Sequence, residues 1–296
     1  MTAVESRIAL DLTHGRAVMT LWEAGPTSPV AIVLPAMGVP AGYYSPFVEA
    51  LVSQDVAVAV ADYPGHGEST PAISRRSAYG YRDLADEWLT AVIDAAVERH
   101  PGRPVVLVAH SLGGQVAVAH LAVHPHPAVR GLVTLGTATP FWRVYERPLV
   151  TLAQTQTAAL ISRVVGFWPG DRLGFGGRQP RALISEWAAF SRSGRLEPEG
   201  SPAYESAMGS ITVPALVIDL ANDTLAPASA VDHLAAKLTG AQVQRLHFAK
   251  GPDTPGRPVD HFSFARSPEL IDEIVADFVQ ACAQGGRAEP AGAQTS

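Results

Sequence analysis

Residues 104–116 read Pro-Val-Val-Leu-Val-Ala-His-Ser111-Leu112-Gly113-Gly114-Gln-Val, an apolar run that ends at a serine and continues as a helical pattern. This order predicts a buried strand that turns sharply into a helix, with Ser111 at the turn. Such a turn crowds the backbone and tolerates only small residues two positions before and after the serine, where Ala109 and Gly113 stand. We therefore expect Ser111 to project from the end of a strand as a nucleophile.

The composition bounds the class of protein that carries this serine. With 296 residues, of which 47% are hydrophobic and 17% charged, the chain can bury a large core as one domain with an insertion or as two domains. The net charge of −6, with no cluster of Lys or Arg, argues against a nucleic-acid partner.

Features that bear on cellular location are few. Cys282 is the only cysteine, so we expect no intramolecular disulfide and a reducing compartment. Residues 1–12 carry Glu5 and Arg7 and lack the apolar core of a signal peptide. No stretch reaches the ~18 apolar residues expected of a membrane span. The sequence therefore predicts a cytoplasmic protein without a membrane-spanning segment.

Short apolar runs alternate with helical patterns along most of the chain. Arg7–Leu12 and Ala17–Glu23 alternate in polarity and predict an opening antiparallel hairpin. The later runs are continuous, as in parallel strands covered on both faces: Val30–Leu34, Val56–Ala61, Val105–Ala109, Leu132–Leu135 and Ala215–Leu220. Val243–Phe248 is the predicted last strand. Helical patterns lie between or after them: Tyr79–Arg99, Gln115–Val123, Ala228–Leu238 and Glu269–Cys282. This order predicts an α/β fold with a mainly parallel, doubly wound sheet.

Residues 139–210 interrupt this order. They are rich in aromatic residues, show no clear β-strand and contain several Gly and Pro breaks. We expect a helical cap inserted between two parts of the core, residues 1–138 and 211–283. Residues 284–296 are rich in Gly, Ala and polar residues and are predicted to be disordered.

Aromatic residues of this cap are candidates for an apolar substrate pocket over the serine. Aromatic residues at helical spacing also fit ordinary packing. Ala36 and His110 are further candidates for the pocket lining, although an exposed Ser111 would turn the His110 side chain away. The candidates from the cap are Trp142, Trp168, Phe175 and Trp187.

A serine hydroxyl needs a general base and an oriented carboxylate to act as a nucleophile at neutral pH. Asp223 follows the strand Ala215–Leu220, at the end where the sites of open α/β sheets gather. Asp219, inside that strand, is the alternative acid. His261 lies in a loop before the final helix and completes the order Ser, Asp, His.

Other histidines fit structural roles better. His247 lies in a strand pattern, and His66 lies in a Pro-Gly-His-Gly turn. His124 and His126 lie where proline interrupts a helix end, which supplies no third ligand, so we predict no metal site.

A tetrahedral intermediate needs two preorganised donors for its oxyanion. The backbone N–H of Leu112, directly after the nucleophile, is predicted to be one. The other is expected from the loop after Val30–Leu34, where Met37 is the predicted donor and Ala36 is the alternative.

Three segments resemble the α/β-hydrolase superfamily: Leu34–Tyr44, Asp62–Ser69 and Ala109–Gln115. Trp168–Gly176 and His261–Arg266 are similar to a group of largely uncharacterised bacterial α/β hydrolases, and the likeness covers residues 28–280. The resemblance implies Ser111 as nucleophile, Asp223 as acid and His261 as base. Ala109 in place of the usual glycine, and Asp219 before the acid, depart from the family pattern.

The resemblance implies a mechanism more than a substrate, since this fold hosts several acyl-transfer reactions. We expect a serine hydrolase acting on a small-molecule ester or thioester, with no cofactor. One alternative is an acyltransferase or cyclase of secondary metabolism that uses the same acyl-enzyme. Another is a non-catalytic binding protein that retains the fold. The cap arginines fit either a solvated face or a guide for an anionic substrate: Arg143, Arg147, Arg178 and Arg181.

Overall fold

The computed structural model describes residues 5–201, 203–249, 259–268 and 271–285. Its strands in chain order are β1 (Glu5–Leu12), β2 (Gly15–Trp22), β3 (Val30–Leu34), β4 (Ala57–Ala61), β5 (Val105–His110), β6 (Val129–Leu135), β7 (Phe167–Pro169), β8 (Arg178–Pro180), β9 (Ala215–Leu220) and β10 (Val243–Phe248). Eight of them form one sheet in the order β1-β2-β4-β3-β5-β6-β9-β10. The β1–β2 hairpin pairs antiparallel to β4, and the other strands run parallel. The predicted fold class is confirmed.

Helices cover both faces of this sheet. They are α1 (Ser45–Ser53), α2 (Leu89–Arg99), α3 (Leu112–Val123), α4 (Pro148–Val165), α5 (Gly170–Leu173), α6 (Arg181–Ser193), α7 (Tyr204–Ala207), α8 (Ala228–Ala235) and α9 (Ile271–Ala283). A π-helical segment, Asp83–Trp88, leads into α2. Short 3₁₀ turns add Ala41–Tyr44, Trp142–Val144, Met208–Ser210 and Ser263–Ala265.

The continuous apolar strands follow from this double covering. In β3, Ile32 points into the core with α2 and α3, whereas Val33 points into the core with α1 and α9. Since successive strand side chains alternate between faces, a strand covered on both sides needs apolar residues throughout. All five residues of β3 are buried.

Several predicted boundaries differ from the structure. β5 extends one residue further, to His110, and α3 begins at Leu112 rather than at Gln115. The predicted start of the last helix, Glu269, lies outside the described residues, as do residues 286–296 of the predicted disordered tail. The sequence patterns gave no prediction for α1.

The segment between β6 and β9 contains strands as well as helices. β7 and β8 form an antiparallel pair, so the expectation of no strand there is wrong. Strands of three residues are too short to show a period, and their pairing defines them: Phe167 with Pro180, Trp168 with Gln179 and Pro169 with Arg178. Trp168 packs with Ala158 of α4 and Ile184 of α6, and Met37 from the core lies against them. The helical cap over residues 139–210 stays a prediction.

The described helices differ from membrane-spanning helices. Each of them falls short of the length and apolarity that a transmembrane helix requires.

Candidate active site

Ser111 lies at the turn between β5 and α3 in a strained backbone conformation. Its φ of 53° and ψ of −114° are rarely adopted by residues other than glycine. A Cβ atom on Gly113 would collide with the carbonyl oxygen of Leu34. The Ser111 N–H donates to the carbonyl oxygen of Leu135, 3.1 Å away, which holds the turn to β6. Gly113, two positions after the serine, is therefore required by the close approach of α3 to β3.

Asp223 and His261 form a buried pair beside this turn. His261 Nδ1 lies 2.6 Å from Asp223 Oδ2. The other carboxylate oxygen, Oδ1, accepts the N–H groups of Leu225 and Ala226 at 2.9 and 2.8 Å. These contacts fix the carboxylate, which in turn orients the imidazole with Nδ1 toward the acid.

Gly136, at the end of β6, makes room for this pair. Its φ is +52°, and a Cβ atom there would lie 2.8 Å from Asp223 Oδ2 and 3.2 Å from His261 Nδ1. The sequence patterns above predicted no role for Gly136. A glycine directly after a predicted parallel strand is the signal that was available for it.

The alternative acid, Asp219, is engaged elsewhere. It is buried in β9, where its carboxylate lies 2.6 Å from Arg245 Nη1 and 2.5 Å from His247 Nδ1. The register of the parallel strands places His247 of β10 directly beside Asp219. The carboxylate in contact with His261 is therefore that of Asp223, and His247 has the structural role expected for it.

His110 is buried behind the site rather than on its surface. Its ring lies 4.8 Å from the ring of His261, centroid to centroid, and its Nδ1 lies 2.7 Å from the Tyr44 hydroxyl. Burial lowers the pKa of His110 well below its usual value, so the ring is neutral. His110 does not line the cavity described below, and its inclusion in the predicted pocket is wrong because its side chain points behind the turn.

Tyr44 connects this histidine to the loop after β3. Its hydroxyl accepts the N–H of Ala36 at 2.9 Å and forms a second hydrogen bond with His110 Nδ1, 2.7 Å away. The Ala36 N–H thus already has a partner, which favours Met37 over Ala36 as an oxyanion donor. Tyr44 lies in the segment Leu34–Tyr44 that resembles the superfamily, but its spacing from Ala36 in the sequence does not predict this contact.

A cavity of about 760 Å³ opens above Ser111. Ser111 and His261 both line it, together with Met37, Leu112 and Ala36 from the predicted site. Residues from α4, α5 and the β7–β8 region form its other wall. The lining is mostly apolar, and among the described residues it contains no Asp, Glu, Lys or Arg. Such a cavity suits an uncharged apolar group.

Three of the four predicted cap aromatics line this cavity: Trp168, Phe175 and Trp187. Trp168 Nε1 donates to the carbonyl oxygen of Phe175 at 2.8 Å, and the rings of Phe175 and Trp187 lie 5.8 Å apart. Trp142 does not line it, so that prediction is wrong: its ring lies under the Arg143 guanidinium at 5.0 Å in a separate 3₁₀ turn.

His66 connects the segment between β6 and β9 to the rest of the chain. Its Nε2 lies 2.9 Å from the carbonyl oxygen of Arg178 in β8, and its Nδ1 lies 3.2 Å from that of Pro64. Burial lowers the pKa of His66. Nearby, Gly38 lies so close to Gly176 that a Cβ atom would collide with the Gly176 backbone. The loop that carries Met37 therefore directly contacts the segment between β6 and β9.

Parts of the chain are similar to curated hydrolases. The chain is 30% identical over 145 residues to the chloroplastic pheophytinase of Arabidopsis thaliana, covering 41% of this chain and 29% of that protein. It is 31% identical over 116 residues to phospholipase YtpA of Bacillus subtilis, covering 39% of this chain and 42% of that protein. The chain thus spans less than half of the length of these relatives.

Solved structures share the fold at low sequence identity. A carboxyl esterase from Bacillus coagulans superposes with a TM-score of 0.64 at 15% identity, covering 95% of this chain and 100% of the esterase. A bromoperoxidase from Bacillus anthracis superposes with a TM-score of 0.59 at 17% identity, covering 93% and 100%. At such identities the likeness establishes the fold alone.

A family model extends the likeness to more than half of the chain. Residues 26–185 match the model described as serine aminopeptidase, S33. This range includes β3, the turn at Ser111 and the chain from β6 to the start of α6. The chain therefore belongs to the serine aminopeptidase S33 family within the α/β-hydrolase superfamily.

Proposed function

We propose that this protein is a serine hydrolase that cleaves a carboxylic ester or thioester through an acyl-enzyme on Ser111. The observation that carries the proposal is the buried Asp223–His261 pair, whose histidine lines the same cavity as Ser111. A non-catalytic protein has no need for a strained serine beside such a pair. The S33 family and the hydrolases among its relatives support the same class of reaction.

In the proposed reaction, Ser111 Oγ attacks the acyl carbonyl carbon while His261 Nε2 takes the hydroxyl proton. Asp223 stabilises the imidazolium that results. The N–H groups of Leu112 and Met37 bind the oxyanion of the tetrahedral intermediate. His261 then gives the proton to the leaving oxygen or sulfur, and the acyl group stays on Ser111. A water molecule, deprotonated by His261, attacks the acyl carbon. The bond from that carbon to Ser111 Oγ then breaks, His261 returns the proton to Oγ, and the acid is released.

The lining of the cavity supports an apolar, uncharged acyl or alcohol group. An aminopeptidase has to bind the positive α-ammonium group of its substrate, for which a carboxylate is the usual partner. The described lining contains no carboxylate, and both oxygens of Asp223 behind it are engaged by His261 and two N–H groups. The cap arginines considered as guides for an anion are also absent from the described lining. We further propose that residues 139–210 act as the lid over this site.

The test combines active-site labelling with a substrate panel. We expect a fluorophosphonate probe to label the wild type and Ser206→Ala, which removes an exposed hydroxyl outside the cavity, but not Ser111→Ala. The panel compares para-nitrophenyl esters of increasing acyl length with aminoacyl para-nitroanilides. Ester turnover without anilide turnover supports the proposal. Labelling of Ser111→Ala, or turnover of the anilides alone, would contradict it.

A further inference from the structure

Large apolar side chains that are exposed cluster in one place on this molecule. Among the described residues, five of the seven line the mouth of the cavity. The other two, Leu160 and Val164, lie on α4 with exposures of 62% and 77%. The five at the mouth are Leu149, Val150, Leu173, Leu225 and Phe262. Single exposed apolar residues are ordinary, whereas a contiguous group marks a contact surface.

The two distant residues belong to one stripe that begins at the cavity. Leu149, Ala153, Thr157, Leu160 and Val164 follow one another at intervals of four or three, which places them on one face of α4. All five are exposed, and the first three line the cavity. At 1.5 Å per residue the stripe extends about 22 Å. The apolar surface therefore continues from the mouth along the whole helix.

Charge is arranged around the stripe rather than on it. The sequence from Pro148 to Ser162 contains no charged residue. Exposed Arg147, Arg163 and Arg172 each stand within two positions of an exposed apolar residue. Residues 139–193 contain seven arginines and three carboxylates, although the whole chain has a net charge of −6.

We propose that this mouth face, formed by the α4 stripe and the five residues at the cavity mouth, docks on an anionic phospholipid surface. Apolar side chains would enter the interfacial region while the arginines at the edge pair with phosphate groups. The basic edge complements anionic lipid, whereas the rest of this acidic protein would be repelled by it. Docking in this orientation places the cavity mouth against the lipid. The consequence for catalysis, entry of an apolar ester directly from the lipid, rests on the proposed function.

The direct test is sedimentation with vesicles. Wild-type protein is mixed with vesicles of phosphatidylcholine alone or with added phosphatidylglycerol. We expect binding to the anionic vesicles and at least a tenfold loss of bound fraction for the Leu160→Gln/Val164→Gln double variant, whose sites lie outside the cavity lining. Ala236→Gln, an exposed substitution outside α4, is the matched control and should bind like the wild type. Arg163→Gln should weaken binding to anionic vesicles only.

A second readout separates docking from catalysis. The double variant should keep wild-type turnover of a soluble short-chain ester, and Ser111→Ala should bind vesicles normally. Equal sedimentation of the wild type and the double variant, or no sedimentation at all, would overturn the docking proposal. So would a dimer in size-exclusion chromatography that the double variant abolishes, because the face would then bind a second copy of the chain. If the wild type does not turn over esters, the proposed function is refuted, but the vesicle result still tests the docking proposal.

Discussion

Removal of the Tyr44 hydroxyl should destabilise the protein because this group serves two buried partners. Tyr44→Phe keeps the ring but leaves the Ala36 N–H and His110 Nδ1 without their partners at 2.9 and 2.7 Å. Tyr44, Ala36 and His110 are all about 1% exposed or less, so solvent does not replace the lost bonds. An unsatisfied buried polar group costs about 1–3 kcal/mol. With two such groups, the free energy of unfolding should therefore fall by about 2–6 kcal/mol.

Urea unfolding measures this loss. The midpoint should move to lower urea while the slope of free energy against urea stays unchanged, because the surface exposed on unfolding is the same. The adjacent Tyr43 is a matched control, since it is only partly buried and its hydroxyl donates to the Phe262 carbonyl oxygen at the longer distance of 3.3 Å. Tyr43→Phe should cost less than about 0.5 kcal/mol.

The same variant reports on the loop that carries Met37. With its anchor at Ala36 lost, the loop should hold the oxyanion less well, which lowers kcat more than it changes KM. Equal midpoints for Tyr44→Phe and Tyr43→Phe would refute the reasoning, because the buried hydroxyl would then contribute no more than the partly exposed one.

Two further perturbations test the acid and the cap. Asp223→Asn should lower kcat by about 10⁴-fold, since an amide cannot hold His261 in the required tautomer. Asp219→Asn should reduce stability but leave kcat within about threefold of the wild type. Similar losses of kcat for the two variants in steady-state ester hydrolysis would contradict this assignment of the acid. Burial raises the pKa of Glu186 from 4.5 to about 7, so the folded state binds the proton more tightly and stability should decrease as pH rises from about 4.5 through 7. Glu186→Gln should flatten that part of the curve of urea midpoint against pH, and an unchanged slope would exclude Glu186 as its source.

The candidate acid shows how far a sequence pattern reaches. Asp219 and Asp223 are four residues apart around the end of one predicted strand, and either could face a histidine whose position is unknown. The choice depends on contacts with residues far along the chain. Asp219 contacts Arg245 and His247, whereas Asp223 contacts His261. The sequence thus narrowed the candidate acid to two residues, and the tertiary structure places Asp223 in contact with His261.

The pocket shows the same division. Three cap tryptophan and phenylalanine residues line the cavity as expected from their placement after β6. His110 and Trp142 do not, because the direction of a side chain depends on the turn that carries it and on its neighbours. The Tyr44 hydroxyl, which engages Ala36 and leaves Met37 as the favoured donor, is a contact that no local pattern reveals.

The sequence by itself determined the α/β class, the doubly covered parallel strands and the strained turn at Ser111. These features are local, since they follow from side-chain periodicity and from small residues around one turn. Only the tertiary structure decided which carboxylate meets His261, which side chains line the cavity and that the described part of the chain leaves the stripe on α4 exposed. Those properties depend on distances between residues remote in the chain, which the order of residues does not contain.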